Sequence, residues 1–183
     1  MRRVLGNIIS ILFSFFKFFF IKLFHFNKFS YYWIERFSPN VIVRIGRKSK
    51  LKLGKKVRMH SGSKLLLSAD GELDIGDNCR FNYNCMIVCH HSITIGSGVE
   101  FGPGVYVYDH DHDFRAEGGM ADRKYKSSPV TIGENSWIGA NTIILRGTSI
   151  GKNCVIGAGC VVKGDVPDNT ILVQKRENEF ISL

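Results

Sequence analysis

The chain has 183 residues, of which 44% are hydrophobic and 22% charged, so it can fold as one domain with an appendage and is not intrinsically disordered. Its net charge of +9 is unevenly distributed: residues 1–58 contain 14 Lys and Arg against one acid, Glu35, whereas residues 59–183 contain 11 against 15. A basic first third predicts an anionic partner for the N-terminal segment, either a membrane surface or a nucleic acid.

The first predicted element is a basic, phenylalanine-rich segment, residues 1–38. Ten of the 14 Phe precede residue 38, a composition too apolar for a nucleic-acid-binding arm, so we expect no nucleic-acid partner. Lys17 and Lys22 divide the segment into apolar runs shorter than the roughly 18–20 residues that a membrane span needs. We therefore predict an amphipathic helix, with residues 1–30 in peripheral contact with a membrane. The alternative is a helix that packs on the domain or on a neighbouring subunit.

The same segment does not resemble a secretory signal peptide, because no small-residue cleavage site follows it. The five cysteines are an odd number in a chain without an export signal, which predicts free thiols in a reducing compartment. We expect a cytoplasmic protein, either free or peripheral on the inner face of the plasma membrane.

A six-residue repeat dominates the C-terminal half of the chain. Glycine follows the repeated aliphatic residue at four positions, and a period of six matches neither an α-helix nor a simple hairpin meander. It predicts a coil of short strands that stacks on itself and buries each aliphatic side chain between its equivalents in adjacent coils. The repeated residues are Ile132, Ile138, Ile144, Ile150, Ile156 and Val162.

The repeat also occurs earlier in the chain, in shorter frames, and it is interrupted once. Between Asp109 and Ser128 a charged, glycine-containing stretch replaces it, and we interpret residues 109–128 as a protruding loop that carries the chemistry. The predicted organisation is an all-β coil over residues 39–173, preceded by residues 1–38 and followed by a tail, 174–183. The earlier frames are Leu53, Met59 and Leu65; Ile75, Phe81, Ile87 and Ile93; and Ile95, Phe101 and Val107.

Three stretches carry a resemblance to a known family: GPGVYVYDHDHDF from Gly102, PVTIGENSWIGA from Pro129, and SIGKNCVIGAGCVVKGDVPDN from Ser149. Over roughly residues 75–169 the sequence resembles the hexapeptide-repeat acyltransferases, in particular the maltose and galactoside O-acetyltransferases. The resemblance implies a left-handed parallel β-helix and a homotrimer that binds acetyl-CoA between adjacent subunits. It implies O-acetyl transfer to a sugar or glycan intermediate, as in polysaccharide biosynthesis, with neither a metal nor a covalent enzyme intermediate.

The resemblance also implies catalytic roles. In a gapless placement the family's catalytic histidine falls on His112, with His110 as the competing candidate, and a neutral imidazole suits a general base. The backbone N–H of Ala140 is placed to donate to the oxyanion of the tetrahedral intermediate. We expect the two histidines to project to opposite sides of an extended segment, so that only one acts as base. His110 would then brace the loop through Asp109 or Asp111.

For the acceptor, the resemblance implies a role for Asn82, whose amide can both donate to and accept from a hydroxyl. An alternative role for Asn82 is in an asparagine stack that supports the turns between coils. His90 falls where the galactoside enzyme has an acid, which leaves the identity of the acceptor open. Trp137 corresponds to an aromatic residue that borders the transfer site, or else packs on a neighbouring subunit.

For the cofactor, the resemblance implies that Ala140, Ala158 and Lys163 bind acetyl-CoA, with the pantetheine arm along Ala158 and its flanking glycines and Lys163 near the polar end. After Asn169 the family's usual closing segment is absent. This leaves Lys175 or Arg176 as the candidate partner of the CoA phosphates.

Two other functions compete with this interpretation. A zinc-dependent β-helix carbonic anhydrase would hold its metal with three histidines, for which His90, His110 and His112 are the candidates. An inactive, membrane-associated β-helix scaffold is the non-enzymatic alternative. A further set of residues has the composition of a metal site, although its spacing fits coil packing better: Cys85, Cys89, His90 and His91.

Overall fold

The computed structural model describes residues 2–32, 34–175, 177 and 179–181. Arg176, one of the candidates for the CoA phosphates, lies outside the described residues. The chain begins with one helix, α1 (Arg2–Phe24), and continues as a coil of short strands into which a hairpin is inserted.

The strands form three parallel sheets, here named faces A, B and C, and the chain visits the three faces in turn. Face A contains Phe29–Ser30, Lys50–Leu53, Glu72–Ile75, Ser92–Ile95, Val130–Ile132, Ser149–Ile150 and Asp165–Val166. Face B contains Arg36–Phe37, Arg58–Met59, Arg80–Phe81, Glu100–Phe101, Trp137–Ile138, Val155–Ile156 and Ile171–Leu172. Face C contains Ile42–Ile45, Lys64–Leu67, Met86–Cys89, Tyr106–Tyr108, Ile143–Ile144 and Val161–Val162.

Two of the corners between these faces matter for function. The B–C corner, where the chain passes from face B to face C, comprises residues 82–85, 102–105, 139–142 and 157–160 of successive coils. The C–A corner comprises residues 90–91, 109–129, 145–148 and 163–164, and the inserted hairpin lies here.

The predicted repeat residues form the interior of the coil. All six aliphatic side chains of the C-terminal frame are at most 3% exposed, and those of the earlier frames are equally buried. Equivalent residues stack in register, as Ile144 on Val162 and as the rings of Phe81 and Phe101, whose centroids lie 4.4 Å apart. Each such burial contributes roughly 1.5–3 kcal/mol, which the stack supplies and an isolated coil does not. The prediction of a stacked, all-β coil is confirmed.

Helix α1 covers the open end of the first coil. The Phe18 side chain is fully buried, and its ring contacts those of Phe37 at 4.9 Å and Phe29 at 5.4 Å between centroids. The Ser14 hydroxyl accepts a hydrogen bond from the Phe37 N–H at 2.8 Å, and the Lys17 ammonium donates to the Val41 carbonyl. The first strand lies at residues 29–30, inside the segment 1–38, because Phe29 and Phe37 supply the first buried layer of the coil.

Helix α1 differs from an ordinary surface helix because its outward side is apolar, although its coil-facing side also buries Phe18. Its coil-facing side includes Ser10, Ser14 and Lys17, whereas its outward side is apolar. The stretch Leu5–Phe24 is one continuous helix, long and apolar enough to cross a membrane by length and composition. The expectation that its lysines make it too short is therefore wrong, since two charges do not interrupt the helix. The exposed apolar residues of α1 are Leu5, Ile8, Ile9, Leu12, Phe13, Phe15, Phe16, Phe19, Phe20, Leu23 and Phe24.

Candidate functional site

The predicted loop at residues 109–128 is a β-hairpin that leaves the coil at the C–A corner. Its strands His110–His112 and Tyr125–Ser127 pair antiparallel, and a short 3-10 turn, Gly119–Asp122, lies near the tip. The hairpin follows the face C strand Tyr106–Tyr108, and the coil resumes on face A at Val130. A protruding element at this point is what the break in the repeat predicted.

The buried carboxylate of Asp109 fixes the base of this hairpin to the preceding coil. Its side chain is fully buried and accepts hydrogen bonds from the backbone N–H of His90 at 2.9 Å and of His91 at 2.7 Å. It also bonds to Nδ1 of His110 at 3.0 Å. Burial alone would raise the pKa of Asp109, but the bonds from His110, from the two N–H groups and from Cys89 hold it below its usual value. Asp109 is therefore ionised, and His110 braces the hairpin as expected.

Three histidines lie beside one another at this corner. The rings of His90 and His110 are parallel, with centroids 3.5 Å apart, and the ring of Tyr125 contacts both His110, at 5.4 Å, and His112, at 4.7 Å. The expectation that His110 and His112 project to opposite sides is wrong. Residues two apart on a strand point to the same side, and the intervening Asp111 points to the other.

The two hairpin histidines differ in exposure and in partners. His110 is 11% exposed, lies against His90, and has Nδ1 committed to Asp109. His112 is exposed on the outer part of the strand. Of the two hairpin histidines, His112 is therefore the one that presents its imidazole to a molecule that approaches from outside the chain.

The next coil supports the other side of the hairpin. Arg146 donates from Nε to Asp111 at 2.6 Å and from Nη1 to the Ser128 hydroxyl at 3.3 Å. Neither Arg146 nor Tyr125 was identified from the sequence. Strand alternation within residues 109–113 could have indicated Arg146, because it places Asp111 on the side opposite the histidines, where a basic residue can pair with it.

A second group of implied site residues lies at the B–C corner. Asn82, Ala140 and Ala158 occupy this corner in different coils, and Ala140 and Ala158 lie in adjacent coils. The backbones are packed tightly, because a Cβ added to Gly139 would lie 2.5 Å from the nitrogen of Ala158. Among the bonds of the described residues the N–H of Ala140 donates to no acceptor, while its carbonyl accepts from Gly159 at 2.7 Å. Its expected role as an oxyanion donor stays a prediction.

The Asn82 side chain is not part of an asparagine turn stack. The left-handed turn positions are occupied by other asparagines, among them Asn84 (φ 58°) and Asn141 (φ 56°). The Asn82 amide oxygen accepts from the neighbouring Tyr83 N–H at 2.9 Å, and within the described part of the chain its amide nitrogen has no hydrogen-bond partner.

The remaining implied residues lie on the outside of the coil. Trp137 is on face B and 57% exposed, paired with Glu100 and Val155 of adjacent strands. Lys163 is exposed where the last coil enters the C–A corner, and Ala158 is exposed at the B–C corner.

The implied residues thus form two separate groups within one chain. The histidines lie at the C–A corner, and Asn82, Ala140 and Ala158 lie at the B–C corner. Face C separates them, and its four-residue strand Met86–Cys89 alone spans roughly 13 Å at about 3.3 Å per residue. One copy of the chain does not bring the expected base and the expected oxyanion donor together.

The cysteines near the histidines belong to the coil interior. Cys85 and Cys89 are fully buried, and burial raises the pKa of the Cys85 thiol to about 11. Burial and the charge of Asp109 raise the pKa of Cys89 as well. No group of three or more His, Cys, Asp or Glu within the described part of the chain is arranged to hold a metal ion. The structure gives these cysteines a packing role.

Comparison with known proteins identifies the repeat. The family described as hexapeptide repeat of succinyl-transferase matches residues 73–109 and 129–163. The galactoside O-acetyltransferase of Escherichia coli K12 is 38% identical over 108 residues, which cover 57% of this chain and 51% of that protein. The chain spans about half the length of the curated relatives it matches.

Solved structures share the fold. A maltose O-acetyltransferase from Clostridium difficile 630 has a TM-score of 0.53 at 32% identity, covering 66% of this chain and 63% of that one. A hexapeptide-repeat-containing acetyltransferase from Vibrio cholerae, complexed with acetyl coenzyme A, has a TM-score of 0.58 at 29% identity, covering 66% and 64%. The chain thus contains hexapeptide repeats over residues 73–109 and 129–163, has the left-handed β-helix fold, and resembles the galactoside and maltose O-acetyltransferases.

Proposed function

We propose that the protein is an acetyl-CoA-dependent O-acetyltransferase that modifies a hydroxyl of a sugar or glycan intermediate. The observation that carries this proposal is the hairpin at the C–A corner, which presents an exposed His112. The buried Asp109 fixes this hairpin to the preceding coil. The similarity to galactoside and maltose O-acetyltransferases supports the reaction class and the acyl donor.

In the proposed reaction His112 is the general base. Its neutral imidazole accepts the proton of the acceptor hydroxyl while the hydroxyl oxygen forms a bond to the thioester carbonyl carbon. The N–H of Ala140 donates to the oxyanion that results. When the carbon–sulfur bond breaks, the imidazolium returns its proton to the departing thiolate, and the acetyl ester is released without a covalent enzyme intermediate.

The separation of the two groups of residues supports a site shared between copies of the chain. A rotation that places the C–A corner of one copy against the B–C corner of the next unites His112 with Asn82, Ala140 and Ala158. Such a contact joins two different surfaces, and it closes into a ring when repeated around an axis. We therefore propose a homotrimer, in which the exposed Trp137 lies near the contact.

The proposed activity is tested by a screen of sugars, glycosyl phosphates and glycans with acetyl-CoA, read as release of free thiol. We expect thiol release that depends on the acceptor and stops when His112 is replaced by Ala. Thiol release from none of the acceptors by a protein that binds acetyl-CoA would instead favour the inactive scaffold.

We also propose that α1 lies in the plane of an anionic membrane, at the cytoplasmic face. Its apolar side points away from the coil, and the basic residues of the first third add attraction to anionic lipids. Ser14, Lys17 and Phe18, in the middle of the helix, are bonded to or buried against the first coil. A transmembrane orientation would break these contacts, so the in-plane orientation is favoured.

Vesicle sedimentation tests this orientation. Replacing Phe16 and Phe20, which are 58% and 55% exposed, by Gln removes apolar contact area and leaves the coil-facing side intact. We expect weaker binding to phosphatidylglycerol vesicles and a further loss as salt increases. Phe180→Gln is the matched control, since Phe180 is 92% exposed in the C-terminal tail. Equal binding by all variants would show that the helix is not the membrane contact.

A further inference from the structure

Face B begins with a row of three arginines in register. Arg36 pairs with Arg58, and Arg58 pairs with Arg80, so the three side chains lie on adjacent strands about 4.8 Å apart. Like charges in directly opposed positions destabilise a sheet. Arg80, at one end of the row, donates from Nη1 to Glu100 at 2.9 Å. At the other end Arg36 and Arg58 face a groove.

The groove lies between face B and the N-terminal half of α1. It has a volume of about 850 Å³, and Arg36 and Arg58, both half-buried, form its coil-side wall together with His60. Asn7 and Ser10 of α1 line the opposite wall. Among the described residues that line the groove there is neither Asp nor Glu. The groove is therefore a basic, partly desolvated site of the size of a small ligand.

The nearest acid in sequence does not neutralise these arginines. The Glu35 side chain is buried inside the coil, 1% exposed, and burial raises its pKa to about 8, an effect that the nearby backbone N–H of Val57 offsets only in part. At neutral pH the carboxyl is mostly protonated. Glu35 therefore adds little negative charge near the groove.

The groove opens toward the B–C corner. Tyr83 lines its rim, and its ring lies 4.8 Å from that of His60 between centroids. The preceding residue, Asn82, is the one that we assign to the acceptor hydroxyl. A molecule whose anionic part lies between Arg36 and Arg58 can therefore extend past Tyr83 to Asn82.

We propose that the groove binds the diphosphate of a lipid-linked glycosyl diphosphate whose sugar is the acetyl acceptor, an inference that rests on the proposed transferase function. Two arginine forks match the oxygens of a diphosphate, which they bind through charge-assisted hydrogen bonds. The other wall of the groove is the helix whose outer side is apolar. A diphosphate held there lies at the depth of the lipid headgroups while its hydrocarbon chain stays in the bilayer.

Binding is measured first without any transfer reaction. Calorimetry on the full chain uses inorganic diphosphate and a soluble glycosyl diphosphate as probes. We expect both to bind, and Arg36→Gln and Arg58→Gln each to weaken binding by about ten- to a hundredfold, the value of one charge-assisted hydrogen bond. Arg44→Gln, an exposed arginine on face C, and Arg80→Gln, whose partner is Glu100, are the controls and should bind normally.

Steady-state kinetics then separates this site from the catalytic one. With a phosphorylated acceptor the Arg36 and Arg58 variants should show a raised KM and a nearly unchanged kcat, while the KM for acetyl-CoA and the rates with an acceptor that lacks phosphate stay the same. Acetyl transfer that is indifferent to phosphate overturns the groove assignment and leaves the transferase proposal standing. Diphosphate binding without any acetyl transfer would overturn the transferase proposal and leave the groove as an anion-binding site.

Vesicle binding distinguishes the source of the phosphate. If Arg36→Gln and Arg58→Gln weaken binding to phosphatidylglycerol vesicles but leave the affinity for the soluble diphosphates unchanged, the arginines contact bilayer headgroups and the acceptor assignment is wrong. The assignment is also wrong if inorganic diphosphate and the glycosyl diphosphate fail to bind the wild-type protein. Circular dichroism of each variant confirms that the coil is intact.

Discussion

The first coils and the last coils follow the same path with different dimensions. Near the N-terminus Leu65 pairs with Ile87, 22 residues further on, whereas near the C-terminus Ile144 pairs with Val162, only 18 residues further on. The longer coils have four-residue strands on faces A and C, while the final coils have mostly two-residue strands. The short coils are those in which the hexapeptide period is unbroken.

The two ends also differ in what they expose. The long coils carry the basic residues, α1 and the groove. The short coils follow the hairpin with its histidines, and their backbones pack tightly at Ala140 and Ala158. Under the proposed function, the N-terminal end binds the acceptor and the membrane, and the C-terminal end performs the acetyl transfer.

The largest expected effect is on the chemical step at the hairpin. His112→Ala should lower kcat by a factor of about 100–10,000, as removal of a general base does, with the affinity for acetyl-CoA nearly unchanged. His110→Ala should lose much less, since its Nδ1 is bonded to Asp109 and its role is to position the hairpin. Steady-state kinetics on both variants decides between them. An inactive His110→Ala beside an active His112→Ala would assign the base to His110 and keep the reaction class.

At the other end, the largest effect is on stability. Phe18→Ala should lower the free energy of unfolding by about 3–5 kcal/mol, because it removes a fully buried ring from the cap of the first coil. Phe16→Ala, on the outward side of the same helix and 58% exposed, is the matched control and should cost little in solution. Urea unfolding followed by circular dichroism gives both values. Similar losses for the two variants would mean that α1 does not cap the coil as described.

Mixing two inactive variants tests whether the site is shared between subunits, and the expected effect is a partial recovery of activity. His112→Ala and Asn82→Ala should each be nearly inactive alone. If each site takes its histidine from one copy and its asparagine from the next, unfolding and refolding a one-to-one mixture should restore roughly a quarter of wild-type activity. Light scattering should report a trimer for all three samples. A mixture that stays inactive would place both residues in one copy or remove Asn82 from the site.

A pH dependence of the free energy of unfolding is expected from one buried carboxyl in the N-terminal coils. The pKa of Glu35 is about 8 in the folded chain against an ordinary value of 4.5. Between these values the unfolded chain releases the proton first, so this residue makes stability fall as pH rises from about 4.5 to about 8, with no further change above. Glu35→Gln should remove that decline. Urea unfolding of both proteins at pH 5, 6, 7 and 8 measures the difference, which should grow with pH and would be constant if Glu35 were solvated.

The hexapeptide period was sufficient to predict the interior of the coil. A residue such as Ile144 or Ile156 recurs at a spacing that no helix or hairpin uses, and the only way to bury it is against its equivalents in adjacent coils. The hairpin was predictable for the same reason, as the place where the period stops. That His110 and His112 share a side was also contained in the sequence, since residues two apart on a strand do so.

Other features depend on which residues the coil brings into register. Arg36, Arg58 and Arg80 are separated by 22 residues in sequence and become neighbours only because the first coils have that length. Asn82 and His90 are eight residues apart in sequence, yet face C places them at different corners. The orientation of α1 is decided by the contacts of Ser14, Lys17 and Phe18 with the first coil, which composition does not reveal.

The sequence by itself therefore determined the local period, the buried face of each strand and the place of the interruption. These depend on side chains a few residues apart, whose burial is set by the strand geometry. The tertiary structure decided the corners, the arginine row and the outward side of α1. These depend on contacts across whole coils of 18–22 residues, which a local pattern does not encode.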